Sequence, residues 1–452
     1  MEEHGCAHNL METLAARAEA SEREGRAAHP RVLAAPARPR RLLLCLDGVP
    51  FEVLTAARAR GLFDDFGEPA RLLSPFPTLT NVALARMLGA SVPHGYESLY
   101  FDREAMELRG GIAKYVGRRT PDKVPSSYME ELDYQEPLPF EFLIYVATDA
   151  IWRADMRRFR ERFLAAPPTR DFFGFLKATD GLLHIGGPAR LAVALESLDR
   201  ILRGLRAECG QETEIVLFSD HGMNLEENRR VHLLSHLKLN GYEVVTQMRE
   251  GREKRRVSAP GFGLCGYAAL YCGEETDSAE LSSVLASLEG VDFSLHREEQ
   301  EASVVVTGGR GRARISRREN NEVKQYRYEQ LDGDPLQLSE AVAALAAEGL
   351  LDAEGYAPDA AWLARTAGHI YPDALANLYE SLSAPRVQHT ADVLVSLDDG
   401  YYYGSTVFSR LARLLATHGN ALRPSSTAFL MSTHRSFPTY VRAGEARPFL
   451  RD

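Results

Sequence analysis

A chain of 452 residues is long for one simple core and suits one large domain with an insertion, or two domains. Hydrophobic residues at 45% and charged residues at 26% exclude a fibrous or disordered polymer. The formal net charge of −10 excludes a nucleic-acid scaffold, which needs a basic surface, but leaves a phosphate substrate open because metal ions can reverse a local field.

Residues 1–40 read as a charged amphipathic helix followed by the Ala/Pro linker "HPRVLAAPARPRR", an extension outside the core. The start is acidic and lacks the apolar stretch of a secretory signal. No apolar run approaches the ~20 residues of a membrane-spanning helix, so no membrane partner is expected. Cys6, Cys45, Cys209, Cys265 and Cys272 are odd in number and form no CxxC pair. They read as reduced thiols, which points to the cytoplasm.

At Arg41 the character changes. "LLLCLDGVP" is a short apolar run ended by Asp47-Gly48, the pattern of a strand buried on both faces, and "VLTAARARGLFDDFG" reads as a helix. A polar, irregular stretch covers roughly 100–140. "FFGFLKATDG" (172–181) reads as a second buried strand ending in a loop, "ARLAVALESLDRILRGLRAE" (189–208) as a helix, and "TEIVLFSDHG" as a third strand. Strand, helix, strand with parallel-sheet composition predicts a doubly wound, mostly parallel α/β core.

From about Gly241 the grammar shifts. "GYEVVTQM", "GYAALYCG" and "SVVVTGGRGRARIS" read as strands, the last a hairpin about Gly308-Gly309, while "SSVLASLEG" and "SEAVAALAAEG" read as helices. Residues 241–384 are therefore expected to form an inserted, smaller α+β cap. "ADVLVSLDDGYYYG" (391–404) and "STAFLMST" (426–433) are expected to rejoin the core, which would comprise 41–240 and 385–452. There is no internal repeat and no low-complexity segment.

Every candidate ligand is read as lying just after an apolar strand, where open α/β sheets collect their ligands. They are Asp47 in "LLLCLDG", Thr80 in "FPTLTN", Asp180 and His184 in "TDGLLHIGG", Asp220 and His221 in "FSDHGM", and His418 in "ATHGN". Singly each has a plainer reading. A strand-end Asp serves as a turn former, Thr80 as a helix N-cap, and Asp180 with His184 as a surface i,i+4 pair. Adjacent Asp220 and His221 after a buried strand have fewer packing explanations. Together the set supplies three carboxylates, three imidazoles and one hydroxyl, donors suited to zinc or manganese and unlike a cysteine-rich structural zinc site. Two such metals about 4 Å apart are a recognised device for phosphoryl chemistry.

In order, "LDGVPFEVL", "FPTLTN", "TDGLLHIGG", "SDHGM" and "THGNALRPSS" resemble the alkaline phosphatase superfamily, and most closely its nucleotide pyrophosphatase/phosphodiesterase branch. The resemblance implies two metal sites: Asp180, His184 and His418 would hold one ion, and Asp47, Asp220, His221 and the Thr80 hydroxyl the other. It further implies that Thr80 attacks phosphorus to give a phosphothreonine, which water then hydrolyses. In two respects the chain departs from the branch. Asn81-Val82-Ala83 follows Thr80 where Phe-Pro-Asn is usual. The stretch "GYESLYFDRE" lacks the asparagine that usually binds a phosphoryl oxygen. Asn81 could supply that substrate-binding donor or simply serve the helix N-terminus.

The resulting expectation is a metal-dependent hydrolase acting on a small-molecule phosphate ester. The alternatives are a phosphotransferase or phosphomutase of the same superfamily, and a non-catalytic metal-binding relative. A sulfatase lacks support, because "PTLTNVA" has no Cys/Ser-x-Pro-x-Arg context. His369 and His434 compete with His418 as the last ligand and read as surface histidines, and His94 as structural. The basic run "RGRARISRR" reads as a solvated hairpin face. Tyr401–Tyr403 could approach the site or pack on the insertion. "GGRG" reads as a turn, since it lacks a strand–helix context.

Overall fold

The computed structural model describes residues 40–111, 127–137, 148–248, 254–298, 302–384, 386–406 and 413–451. The expected N-terminal extension lies outside the described residues, apart from Arg40, as does part of the irregular 100–140 stretch.

The run "RLLLCL" forms the strand Arg41–Leu46, buried at every position. Leu42, Leu44 and Leu46 pack on one face with Leu54, Phe159 and Leu195 from three helices, Phe51–Arg58, Thr148–Ala165 and Ala178–Cys209. Leu43 and Cys45 pack on the other face with Ala83, Leu84 and Met87 of the helix Thr80–Leu88. A central strand sandwiched between helices needs apolar side chains on both faces, so its sequence is continuous rather than alternating. Truncating fully buried Leu44 to alanine would cost ~2–5 kcal/mol.

This strand pairs in parallel with Phe172–Leu176 on one side and Glu214–Ser219 on the other. The seven-stranded sheet runs 440–442, 70–73, 427–432, 214–219, 41–46, 172–176, 134–135. Thr427–Ser432 is antiparallel to both neighbours, and the other pairings are parallel. The mostly parallel α/β core is therefore as expected. Because 427–432 runs backwards, the loop before it emerges at the edge where the parallel strands have their carboxyl ends.

Two local expectations differ from what forms. No loop follows strand 172–176: Lys177 leads directly into a helix beginning at Ala178. That helix is two segments meeting at Gly187 (φ 64°, ψ −171°), with Pro188 starting the second. The Gly-Pro break hides the continuity from a reading based on period.

The second sheet has nine strands, in the order 356–358, 323–333, 311–320, 303–308, 291–298, 393–397, 267–272, 256–258, 243–244. It is antiparallel except for the last pair. The expected hairpin closes with Gly308 opposite Gly311. Leu281 and Leu285 of helix Ser278–Ala286 pack on one face; Trp362, Leu375 and Leu378 cover the other.

Residues 391–404 do not return to the first sheet. Val393–Leu397 lies between Tyr267–Cys272 and Val291–Glu298, and Tyr401–Gly404 pairs with 264–265 and 229–230. The chain rejoins the first sheet only at Thr427. An apolar strand buried on both faces has the same signature in either sheet, so its composition does not say which one it enters. Among the described residues no helix is long and apolar enough to cross a membrane.

Candidate metal centre

The candidate residues meet at the carboxyl edge of the first sheet. Asp47 follows strand 41–46, and Asp220-His221 follow strand 214–219. Asp180 and His184 stand one turn apart at the start of helix 178–209, and Thr80 is the first residue of helix 80–88. His418 arrives on the loop before the antiparallel strand 427–432, so it follows no core strand. That loop is fixed by antiparallel bridges from Asn224 to Thr417 and from Asn228 to Leu414.

The ligand-capable atoms fall into two groups, Asp180/His184/His418 and Asp47/Asp220/His221, each with its atoms within 4.8 Å of one another. The groups touch where the His221 and His418 rings stack, 4.0 Å between centroids and 17° between planes. The Thr80 hydroxyl donates to Asp47 Oδ1 at 3.2 Å and lies 3.3 Å from His221 Nε2.

All three imidazoles are held in the same way. Nδ1 lies 2.8 Å from the Ala416 carbonyl in His184, 2.9 Å from the Gly222 carbonyl in His221, and 2.8 Å from the Thr78 carbonyl in His418. A carbonyl can only accept, so each Nδ1 carries a proton, which leaves Nε2 facing the carboxylates and, whenever the ring is neutral, presenting its lone pair to them. Those nitrogens face carboxylate oxygens: His184 to Asp180 at 3.2 Å, His418 to Asp180 at 3.6 Å, and His221 to Asp47 and Asp220 at 3.5 and 3.4 Å. A neutral ring and a carboxylate are acceptor against acceptor, which is repulsive unless a cation, a metal ion or a proton on Nε2, lies between them. Asp180 Oδ1 and Asp220 Oδ2 are buried without a hydrogen-bond donor, which is costly in the absence of a counter-charge. The donor set thus fits divalent metal ions in both groups.

The electrostatics reflect this crowding. Burial lowers His221 to about 4; burial together with the neighbouring His221 lowers His418 to about 3. Burial raises Asp220 to about 7, and burial with the Asp220 and Asp180 charges raises Asp47. Asp180 moves the other way: burial opposes ionisation, but His184, His418 and His221 outweigh it and lower the carboxyl. Asp180 in turn raises His184 against its burial.

Short-range sequence explains much of this geometry. Gly48 has φ +68°, and a Cβ there would stand 3.2 Å from Asp180 Oδ1 and 3.3 Å from His221 Cε1, inside the cluster. A Cβ on Gly222 would meet the Pro424 carbonyl at 2.1 Å, so the backbone beside His221 can approach strand 427–432 only as glycine. Ser219 donates to the His221 carbonyl at 2.8 Å and accepts from Val49 N at 2.9 Å, tying the Asp47 and His221 loops together.

Thr78 is spoken for. Its hydroxyl donates to the Asn420 carbonyl at 3.0 Å and accepts from Gly419 N at 2.9 Å, so it wires the His418 loop rather than facing the carboxylates. Thr80, by contrast, is only half-buried. Asn81 lies next to it, its Oδ1 accepting from the Tyr128 hydroxyl at 3.0 Å. His369 contacts the Gln337 carbonyl and His434 contacts Thr433; neither belongs to either group. His94 stacks on Tyr100 and His389. Of the basic run, Arg310, Arg314, Arg317 and Arg318 all pair with carboxylates, including Asp292, Glu298, Glu319 and Asp352. Tyr402 and Tyr403 are buried, and the Tyr403 hydroxyl donates to the Ala259 carbonyl.

Several residues that shape the centre carry no ligand signature. Asn377, on the helix Ala374–Ser383, accepts from Phe76 N at 2.7 Å and donates to the Ser74 carbonyl at 3.2 Å. Buried Arg386 donates to the Phe76 carbonyl and to Asn377 Oδ1. The segment leading to Thr80 is therefore gripped by side chains some 300 positions away. Tyr128 had one available signal: Ser127-Tyr-Met-Glu130 has the form of a helix-start capping box, and Ser127 does accept from Met129 N.

The sequence profile of the family described as type I phosphodiesterase / nucleotide pyrophosphatase matches residues 80–406, more than half of the chain. The match includes Thr80, Asp180, His184, Asp220 and His221, whereas Asp47 and His418 lie outside it and join the group only in three dimensions. Among solved structures, phosphonoacetate hydrolase from Sinorhizobium meliloti 1021 in complex with phosphonoformate is similar at 14% identity, over 92% of this chain and 95% of that one, with a TM-score of 0.50. Murine ectonucleotide pyrophosphatase / phosphodiesterase 5 is similar at 13% identity, over 91% and 94% of the two chains, with a TM-score of 0.48. No curated protein matches the chain in sequence. The chain belongs to the type I phosphodiesterase / nucleotide pyrophosphatase family, a phosphoester hydrolase on an alkaline-phosphatase-like α/β core.

Proposed function

We propose that this enzyme hydrolyses small-molecule phosphate esters through Thr80, which forms a phosphothreonine beside two divalent metal ions. The carrying observation is the Thr80 hydroxyl, 3.2 Å from Asp47 Oδ1 and 3.3 Å from His221 Nε2 at the start of a helix. Asp180, His184 and His418 would hold one ion; Asp47, Asp220 and His221, with Thr80, the other. Zinc suits this nitrogen- and oxygen-rich set best, with manganese the alternative. Bound there, the ions supply positive charge that makes the threonine alkoxide accessible near neutral pH and offsets the charge of the phosphoryl group.

The chain's own residues do the rest. The Thr80 oxygen attacks phosphorus in line, and the bond to the leaving alcohol breaks as the new P–O bond forms. The free N–H groups in the first turn of helix 80–88 suit the phosphoryl oxygens. Asn81 would add a side-chain donor. Water then cleaves the phosphothreonine, and Thr80 recovers its proton. Cys45, Cys209, Cys265 and Cys272 are free thiols, which supports a reducing, cytoplasmic setting.

The direct test is a panel of p-nitrophenyl phosphate, bis-p-nitrophenyl phosphate and nucleotide diesters, assayed on chelator-treated protein reloaded with zinc or manganese. Metal-dependent hydrolysis of at least one ester is expected. No hydrolysis under either metal would overturn the proposal.

A further inference from the structure

We propose that Tyr128 is a positioning residue for phosphoryl transfer: its hydroxyl holds Asn81 Oδ1 and thereby turns the Asn81 amide nitrogen toward the oxygens of the phosphoryl group that Thr80 attacks. This rests on the reading of Thr80 as nucleophile.

The argument begins with a shortage of donors. The side-chain atoms beside the Thr80 hydroxyl, Asp47 Oδ1 and His221 Nε2, both present lone pairs. Phosphoryl oxygens are acceptors too, and their developing charge needs hydrogen-bond donors fixed in advance. Asn81 is the second residue of the same helix, one position beyond Thr80, and is half-buried. A carboxamide is planar, so fixing its oxygen fixes its nitrogen. Tyr128 donates to that oxygen at 3.0 Å, and among the described residues Asn81 Nδ2 has no protein partner.

Tyr128 is well placed to act as the anchor. Its side chain is only 6% exposed and packs with Ala83, Leu84 and Met87 of the helix that carries Thr80 and Asn81. It opens the 3-10 turn Tyr128–Glu131, whose first turn is capped by Ser127. The ring therefore has little freedom, and its hydroxyl moves with the helix that bears the nucleophile.

The test is a double-mutant cycle on metal-loaded protein, using the best ester of the panel and orthovanadate as the transition-state probe. Asn81→Ala should lower kcat by about 10²-fold, the scale of one lost oxyanion donor. Tyr128→Phe should lower kcat by roughly 10-fold with KM little changed, and weaken orthovanadate inhibition by a similar factor. In the Asn81→Ala background Tyr128→Phe should add nothing, because the group it positions is gone. Asn81→Asp, which keeps the shape and Tyr128 but replaces the donor with a charged acceptor, should be at least as impaired as Asn81→Ala. Additive effects in the cycle, a change in KM alone, or wild-type activity in Asn81→Asp would overturn the inference. If Tyr128→Phe melts early, the same cycle is run below its melting midpoint, where the variant is folded, and non-additivity there still decides it. A wild-type chain that hydrolyses no ester ends both readings; an active wild type with additive effects ends only this one.

Discussion

The two ligand groups differ in how they are built. Asp47, Asp220 and His221 sit on the ends of adjacent parallel strands, their side chains 1%, 0% and 0% exposed. Asp180, His184 and His418 combine a helix turn with a loop from the far end of the chain, at 15%, 8% and 9%. The first group is fixed by the sheet and shares its interior with Thr80. The second is the more open and depends on a loop held by side-chain and bridge contacts. In the proposed reaction the closed group serves the nucleophile.

The strongest way to break this contrast is to remove the proposed nucleophile and leave both groups intact. Thr80→Ala is expected to lose at least ~10³-fold in kcat while binding as much metal as the wild type. Serine at this position should keep a measurable fraction of activity. Near-wild-type hydrolysis by Thr80→Ala would assign the attack to water and detach Thr80 from the closed group. Next in size is metal content. Elemental analysis of chelator-free protein should give about two zinc equivalents, and His418→Ala about one. Retention of both equivalents in His418→Ala would show that the open group does not depend on its loop.

Both groups can also be probed by pH. His221 and His418, held at about 4 and about 3 against an ordinary 6.5, contribute stability that is present above pH 6.5 and lost as pH falls toward those values. Asp220, raised to about 7 from an ordinary 3.8, acts in the opposite sense: its contribution is present below 3.8 and lost as pH rises through 7. Between pH 6 and pH 8 the two histidines gain stability while Asp220 loses it, so metal-free wild type should melt at nearly the same temperature at both values, whereas metal-free Asp220→Asn, which lacks the opposing carboxyl, should melt higher at pH 8 than at pH 6. A metal-free Asp220→Asn protein with the same pH response as wild type would contradict the burial of an ionisable Asp220. The smallest effect is expected for Thr78→Ala. Loss of two hydrogen bonds to the 419–420 backbone should cost about 1–2 kcal/mol by chemical denaturation and leave most activity.

The same contrast explains what could be read from the sequence. Asp47, Asp220 and His221 follow continuous apolar runs, and a strand end in a parallel sheet is a place a pattern can find. Asp180 and His184 were visible by spacing, although the helix that carries them was not, because Gly187-Pro188 interrupts its period. His418 stood among the candidates by position, but it was preferred over His369 and His434 through the resemblance of "THGNALRPSS", and its arrival depends on one antiparallel strand. Strand 393–397 was assigned to the wrong sheet because burial on both faces leaves the same apolar run in either. Asn377 and Arg386 were invisible for a different reason. Their bonds run from side chain to a distant backbone, and no local period or motif records such a partnership.

The reversed strand 427–432 also sets an order of events. Asp47, Thr80, Asp180, Asp220 and His221 precede it in the chain, but His418 is locked in place only when that strand pairs with 214–219 and 70–73. During synthesis the closed group can take shape while the open group still lacks a member, so tight capture of the second ion becomes a late step. A chain halted before residue 418 would carry Thr80, the proposed nucleophile, without the last member of the open group.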